Sequence, residues 1–241
     1  MDEPPSLSTL AQAAEASYTP DTVPRNYSMV NEFSSPGIST YKHDVNPHYI
    51  IAHRGTDLSA NTKGKDIKAD LGILVGNRNQ NKLHKERVKR TEEVVSQIKA
   101  KDPQHDVYLV GHSLGGSTAH QAMVKSKYVR DNVKELHTFN AGSSPLQHKG
   151  LSSKHKAYST IAAKSTHHRI AGDEISASIK SNLIGTHKTY KNTQKPSLGK
   201  AILNIAEPLL KQSPLGRLVH FGANKIIDTL SSHSLKNFIK Q

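Results

Sequence analysis

Residues 106–119 of the 241-residue chain read DVYLVGHSLGGSTA, and this stretch decides the fold. Its first half is a short apolar run rich in β-branched residues, which predicts a buried strand. Its second half contains Gly111-His112-Ser113-Leu114-Gly115 and continues into residues that favour a helix. A strand that turns through Gly-x-Ser-x-Gly into a helix is typical of a nucleophile elbow, whereas a glycine-rich turn without chemistry is the alternative. Ser113 is therefore the candidate nucleophile.

Strand and helix patterns alternate on both sides of this stretch. The predicted elements are a helix over 10–18, a hairpin around 36–52, a helix over 83–100, a strand leading into a loop over 135–145, and a strand over 167–176. Such alternation predicts an α/β fold with a mostly parallel central sheet and helices on both faces. We expect a single domain over 10–241, preceded by a flexible tail at 1–9.

The composition limits the class of protein. The chain has no cysteine, which excludes a disulfide framework, a thiolate zinc site and a cysteine nucleophile. Residues 1–20 have neither a basic start nor an apolar core, so we predict no signal peptide, and no apolar run is long enough for a transmembrane helix. These features favour a cytoplasmic or peripheral-membrane location.

Positive charge is the most unusual feature of the composition. The formal net charge is +13, and residues 181–241 hold nine Lys or Arg against two acidic residues. Such a surface attracts anionic membranes or nucleic acid, or is simply a solvated basic face. The lack of tryptophan, the aromatic content of 5% and the lack of nucleic-acid-binding motifs argue against specific nucleic-acid recognition.

Residues 200–230 differ from the rest of the chain. They predict two short amphipathic helices, with Ser213 as an N-cap and Pro214 at the first helical position. Packing of their apolar stripe against the core is the expected role, and contact with lipid is the alternative.

A serine nucleophile needs a base, and the base needs an acid to orient it. On α/β-hydrolase folds the chain order is serine, acid, histidine. Asp173, at the end of the strand predicted over 167–176, is the preferred acid, and Glu174 is its nearest rival. Asp131 and Glu135 are expected near the solvent end of the elbow helix.

Three histidines follow the preferred acid and compete for the role of base. His220 lies within an apolar helical pattern, where a histidine is more often a packing or surface residue. His187 lies in the polar sequence GTHKTY, which predicts a loop, and His233 follows the predicted helices. From the residues alone, His187 and His233 both stay candidates. No set of histidine and acidic residues has metal-ligand spacing, so no metal is expected.

Several stretches resemble the class 3, or fungal-type, lipases of the α/β-hydrolase superfamily. They are YIIAHRGTD at 49–57, DIKAD at 66–70, VYLVGHSLGGSTA at 107–119, RIAGDEIS at 169–176 and HSLKNFI at 233–239. FNAGSSP at 139–145 also resembles a family loop, although Asn140 and Ala141 depart from its pattern. The resemblance covers the chain in patches from about residue 10 to the C-terminus.

The resemblance implies a catalytic triad and an oxyanion hole. It makes Asp173 the acid and His233 the base, and it gives the oxyanion contacts to the backbone N–H groups of Thr56 and Leu114. It implies no cofactor. Two features depart from the family: the tryptophan after the Arg-Gly-Thr loop is missing, and the sequence at the lid position, 71–81, is short and only partly apolar.

The sequence thus predicts a serine ester hydrolase that cleaves fatty-acyl esters of glycerolipids, of the lipase or phospholipase A type. The basic last quarter of the chain favours phospholipid at an anionic membrane surface. Two alternatives stay open: a hydrolase of small esters or thioesters on the same fold, and a basic membrane- or nucleic-acid-binding protein that keeps the scaffold without catalysis.

Overall fold

A computed structural model describes residues 3–19, 22–55, 78–142, 151, 155–171, 183–192 and 235–239, and within 78–84 the helical backbone alone. In these ranges the helices are α1 (Leu7–Ala16), α2 (Arg78–Lys101), α3 (Leu114–Lys125), α4 (Lys127–Asn132), α5 (Lys156–Lys164) and α6 (Lys236–Ile239). The strands are β1 (Tyr27–Met29), β2 (Ile38–His43), β3 (His48–His53), β4 (Asp106–His112), β5 (Glu135–Phe139), β6 (Ser165–Ile170) and β7 (Thr186–Tyr190). None of these helices combines the length and the apolar character needed to cross a lipid bilayer.

The strands form one sheet in which they lie in chain order from β1 to β7. β3 to β7 run parallel, and β2 and β1 extend the sheet antiparallel at one edge. Parallel neighbours require long crossovers, which contain α2 between β3 and β4, α3 and α4 between β4 and β5, and α5 between β5 and β6. The predicted mostly parallel sheet is confirmed, and the β2–β3 pair is the hairpin expected around 36–52.

Helices cover both faces of the sheet, as predicted. On one face α2, α3 and α5 pack over β3, β4 and β5, in a core that includes Val94, Ile98, Leu109, Met123 and Ile161. On the other face α1 and α6 pack over the same strands, in a core that includes Leu10, Ile50, Tyr108, Phe139 and Phe238. Val107, Tyr108, Leu109 and Val110 of β4 are all buried, because both faces of this strand are covered.

Two predictions about the elements are wrong. α1 begins at Leu7, because the Ser6 hydroxyl caps it by accepting the N–H of Thr9 at 3.1 Å, so residues 7–9 do not belong to a flexible tail. The Ser8 hydroxyl also donates to the carbonyl oxygen of Ile239 at 2.9 Å, which fixes this end of the chain. GTHKTY is not a loop, since it contains β7, the edge strand beside β6. The helices predicted over 200–230 and the first part of the lid position, 71–77, lie outside the described residues.

Candidate active site

Ser113 occupies the turn between β4 and α3 with a backbone conformation that side chains rarely adopt. Its φ is +55° and its ψ is −124°, and such a conformation costs on the order of 1–3 kcal/mol. Neighbouring backbone groups hold the turn: the N–H of Ser113 donates to the carbonyl oxygen of Phe139 at 2.9 Å, and the N–H of Ser117 donates to that of Ser113 at 3.2 Å. The predicted order of strand, tight turn and helix is therefore confirmed.

Lack of space around the turn explains the glycines of the motif. A Cβ on Gly115 would overlap the carbonyl oxygen of His53, the last residue of β3. A Cβ on Gly111 would lie 2.5 Å from the carbonyl carbon of Gly115, and one on Gly116 would lie 2.7 Å from the Cβ of Ala141. The glycines allow α3 to begin directly against the ends of β3 and β5, so the positive end of this helix lies beside the serine.

Of the two residues expected to bind the oxyanion, the structure describes Leu114. Leu114 is the first residue of α3 and directly follows Ser113, so its N–H has no acceptor within the helix. Thr56 lies outside the described residues, but Gly55 immediately before it lies against the elbow: a Cβ on Gly55 would be 3.3 Å from the Cβ of Ser113. The chain thus enters the Arg-Gly-Thr loop in contact with the candidate nucleophile.

Tyr18 joins this loop to the elbow, and the sequence had indicated no role for it. Its hydroxyl accepts the N–H of Gly55 at 3.0 Å and lies 3.0 Å from Nδ1 of His112, the residue before the serine. The rings of Tyr18 and His112 also meet edge to face, with centroids 5.8 Å apart. One hydroxyl at the end of α1 therefore fixes the distance between the loop and the serine turn.

The segment that follows His233 is anchored close to the elbow, although His233 itself lies outside the described residues. Leu235 and Phe238 are buried in the core shared by α1 and β4. The ring of Phe238 packs on that of Phe139 with centroids 5.0 Å apart, and Phe139 is the residue whose carbonyl oxygen holds the N–H of Ser113.

The preferred acid, Asp173, and its rival, Glu174, also lie outside the described residues. β6 ends at Ile170, so both carboxylates follow the carboxyl end of this strand, two strands away from β4. Asp131 and Glu135, expected near the solvent end of the elbow helix, both follow α3, and Glu135 is the first residue of β5. Asp131 lies on α4 and pairs with Lys127 at 2.5 Å, on the exposed surface.

The structure places His187, the alternative base, away from the serine. It lies on β7, three strands from β4. The register of the sheet pairs it with His167 on β6, His167 with Thr138 on β5, and Thr138 with Gly111 on β4. With strands about 4.8 Å apart, the backbones of His187 and Gly111 are about 14 Å apart. The exposed His187 ring has its Nε2 3.0 Å from the carbonyl oxygen of Leu183.

A series of side-chain hydrogen bonds links β5, β6 and β7 on the face of the sheet covered by α6. Glu135 lies 2.8 Å from Nε2 of His137, whose Nδ1 lies 3.0 Å from Nε2 of His168, and Nδ1 of His168 lies 2.9 Å from the Tyr190 hydroxyl. Burial, followed by the nearby charge of His137, lowers the pKa of His168 to about 3. The rings of His168 and Tyr190 also contact Phe238. The C-terminal segment therefore packs against part of this hydrogen-bonded series.

Comparisons with known proteins agree with the fold. A family model described as a PGAP1-like alpha/beta domain matches residues 76–194, just under half of the chain. No curated protein matches the sequence. The family model and the order of the sheet both confirm the predicted α/β fold with a mostly parallel central sheet.

Solved structures similar to the chain include three lipases. The Lip2 lipase of Yarrowia lipolytica is 13% identical with a TM-score of 0.49, and 77% of each chain is covered. The lipase of Rhizopus microsporus var. chinensis is 19% identical with a TM-score of 0.42, over 68% of this chain and 65% of that one. A Rhizomucor miehei lipase propeptide complex is 14% identical with a TM-score of 0.41, over 78% and 66%.

Proposed function

We propose that the chain is a serine carboxylic-ester hydrolase that cleaves fatty-acyl esters of glycerolipids. The observation that carries this proposal is the conformation of Ser113, which is held at φ +55° between the central strand β4 and the start of α3. Backbone strain of this kind persists where the surrounding structure enforces it, and it is concentrated at functional sites. A serine at such a turn presents its hydroxyl at the edge of the sheet, where a substrate can reach it.

The first half of the reaction transfers the acyl group to the protein. The Ser113 Oγ attacks the ester carbonyl carbon while His233 takes the hydroxyl proton, and Asp173 holds the imidazole in the required tautomer. The backbone N–H groups of Leu114 and Thr56 stabilise the oxyanion, and each such donor contributes about 3 kcal/mol to the transition state. The bond from carbon to the alcohol oxygen then breaks, and His233 gives its proton to the leaving alcohol.

The second half of the reaction regenerates the serine. Water attacks the acyl carbon while His233 takes one of its protons, and the tetrahedral intermediate forms again in the same oxyanion hole. The bond from carbon to Oγ breaks, Oγ recovers its proton from His233, and the fatty acid leaves. The proposed reaction uses ester and water alone and involves no cofactor.

The anchoring of the C-terminal segment supports His233 rather than His187 as the base. His233 is two residues before Leu235, which is buried in the same core as Phe139, and two residues of chain span at most about 7 Å. His187, in contrast, belongs to an edge strand about 14 Å across the sheet from the elbow strand.

The charge of the chain supports a substrate at an anionic membrane surface. Residues 181–241 carry nine basic and two acidic residues, and basic segments are attracted to anionic lipids by about 1 kcal/mol per Lys or Arg near the surface. We expect phospholipid in anionic vesicles to be hydrolysed faster than the same lipid in neutral vesicles, with the difference lost at high salt. Equal rates in both would contradict this part of the proposal.

The experiment that tests the proposal compares the unmutated protein with Ser113→Ala, His233→Ala, Asp173→Asn and His187→Ala. Fatty-acid release from long-chain glycerolipid and release of nitrophenolate from a short p-nitrophenyl ester are measured for each. The first three variants are expected to lose activity, and His187→Ala is expected to retain it. Preference for the short ester over all glycerolipids would favour a small-ester hydrolase instead.

A folded protein that is inert on every ester would contradict the proposal. Salt-sensitive vesicle or DNA binding that persists in Ser113→Ala would then favour a basic binding protein on a hydrolase scaffold.

A further inference from the structure

Two arginines meet beside the Arg-Gly-Thr loop. Arg54 directly follows β3, and the Nη1–H of Arg87 on α2 donates to the Arg54 carbonyl oxygen at 2.9 Å. The Arg87 guanidinium lies against Gly37, where a Cβ would be 2.6 Å from Nη2. Arg87 is therefore fitted into the fold at a defined place and is not a free surface chain.

The charge of this pair is not neutralised within the described part of the chain. None of the ion pairs found there involves Arg54 or Arg87, whereas Arg90, one turn further along α2, pairs with Glu93 at 3.4 Å. The Nε–H of Arg87 is buried and has no hydrogen-bond acceptor among the described residues. Burial, followed by the charge of Arg54, lowers the pKa of Arg87, although a guanidinium stays protonated at neutral pH.

This arrangement costs stability unless an anion completes it. A buried donor without an acceptor and two like charges side by side are both unfavourable. Planar guanidinium groups bind phosphate through parallel N–H donors, and Arg54 and Arg87 carry N–H groups besides the one that Arg87 donates to the Arg54 carbonyl oxygen. Residues that break the rules of packing in this way are expected at functional sites.

The pair lies within reach of a substrate held at the elbow. Gly55 follows Arg54, and a Cβ on Gly55 would be 3.3 Å from the Cβ of Ser113. The path from Nη1 of Arg87 through the Arg54–Gly55 peptide to Ser113 is at most about 11 Å long. In a glycerophospholipid only a few covalent bonds separate the acyl ester from the phosphate, so both groups could be contacted together.

We propose that the Arg87 guanidinium, reinforced by the charge of Arg54, binds the phosphate of a glycerophospholipid whose acyl ester lies at Ser113. This inference rests on the proposed ester hydrolysis and names the class of substrate. The same chemistry would bind inorganic phosphate, so the experiment must separate the two sources.

The kinetic test uses two substrates with the same acyl chains in one neutral detergent, phosphatidic acid and diacylglycerol. Arg87→Gln is expected to raise KM for phosphatidic acid about tenfold or more, the loss of one charge-assisted contact, and to leave KM for diacylglycerol unchanged. Loss of the hydrogen bond to the Arg54 carbonyl should lower kcat for both substrates alike. Arg87→Lys should restore part of the affinity because it keeps the charge. Lys89→Gln, which removes an exposed cation from the same helix, is the matched control and should change neither substrate. An equal rise of KM for both substrates, or no change of KM for either, would overturn the inference.

A binding test separates this inference from the hydrolysis on which it rests. The Ser113→Ala protein is titrated calorimetrically with dihexanoyl phosphatidic acid and, separately, with inorganic phosphate, and circular dichroism checks the fold of each variant. Binding of the lipid that is lost in Ser113→Ala/Arg87→Gln supports the inference even if no ester is ever cleaved. Lipid binding that survives this change, or binding of inorganic phosphate alone, overturns it.

Discussion

The rings of Phe139 and Phe238 are in tilted contact, with their centroids 5.0 Å apart and their planes at 58°. The carbonyl oxygen of Phe139 accepts the N–H of Ser113, and Phe238 follows His233 by five residues. One aromatic contact therefore joins the end of β5, which accepts the Ser113 N–H, to the segment that follows the proposed base.

Phe238→Ala removes this contact between β5 and the C-terminal segment. Loss of a fully buried phenyl ring is expected to lower the free energy of unfolding by about 3–5 kcal/mol and to reduce kcat for ester hydrolysis. Urea denaturation measures the first effect, and assays of the folded fraction measure the second. Phe238→Leu should recover much of both, and Val45→Ala, at a side chain that is 87% exposed, should change neither. Normal kcat per folded molecule in Phe238→Ala would show that the anchor does not position the base.

Gly115→Ala tests the packing of the elbow. The added methyl group would overlap the carbonyl oxygen of His53, so the start of α3 must shift and the free energy of unfolding should fall by about 1–3 kcal/mol. Gly185→Ala is a matched control, because its Cβ would lie 2.5 Å from the carbonyl oxygen of Ser165, far from the elbow. Both variants should be less stable, but only Gly115→Ala should lose hydrolysis in the folded state. Equal activity of the two would argue against a geometric role for Gly115.

Tyr18→Phe removes one hydroxyl and leaves the ring in place. The N–H of Gly55 then loses its acceptor, which costs about 1–3 kcal/mol and loosens the loop next to Thr56. We expect kcat to fall about tenfold with KM little changed, since the loop is proposed to bind the oxyanion and not the ground state. Tyr27→Phe provides the control: it removes a buried hydroxyl 2.6 Å from Nε2 of His48, at the far edge of the sheet. A Tyr18→Phe enzyme that matches Tyr27→Phe in kcat would contradict this role.

Acid should destabilise the fold through its buried histidines. Burial lowers the pKa of His168 to about 3 and that of His48 to about 4, against 6.5 in the unfolded chain. The unfolded state therefore binds more protons below pH 6.5, so stability is fully present above this pH and falls between pH 6.5 and about 3. Each histidine contributes a slope of up to about 1.4 kcal/mol per pH unit.

Urea unfolding at pH 7.5, 5.5 and 4.5 measures this slope. His168→Gln should unfold with a smaller dependence on pH, because it removes one of the titrating groups. Val45→Ala, at an exposed position without a titrating group, is the control and should retain the slope of the unmutated protein. An unchanged slope in His168→Gln would contradict the assignment.

The features that the sequence predicted well are those that depend on neighbours in the chain. The elbow is one example, because the apolar run before Ser113 and the glycines around it are local. α2 is another: its predicted inner face contains Val94, Val95 and Ile98, all fully buried, and the helix ends at Lys101, just before the expected Asp102-Pro103 stop.

The features that the sequence did not predict depend on contacts between distant residues. Tyr18 acts through His112, 94 residues away, and no local pattern marks such a pair. β7 has mostly exposed side chains, so it lacks the apolar alternation of a strand and exists because β6 supplies hydrogen bonds. Arg87 belongs to a charged helix face, and only the fold brings its guanidinium against Gly37 and the Arg54 carbonyl.

Labelling of the serine tests the central claim most directly. The protein is incubated with diethyl p-nitrophenyl phosphate, digested, and analysed by mass spectrometry for the diethylphosphoryl group that remains when nitrophenolate leaves. The account predicts one such group, on Ser113, formed quickly in the unmutated protein and in His187→Ala but slowly in His233→Ala. A label on another residue, or no label on a correctly folded protein, would contradict it.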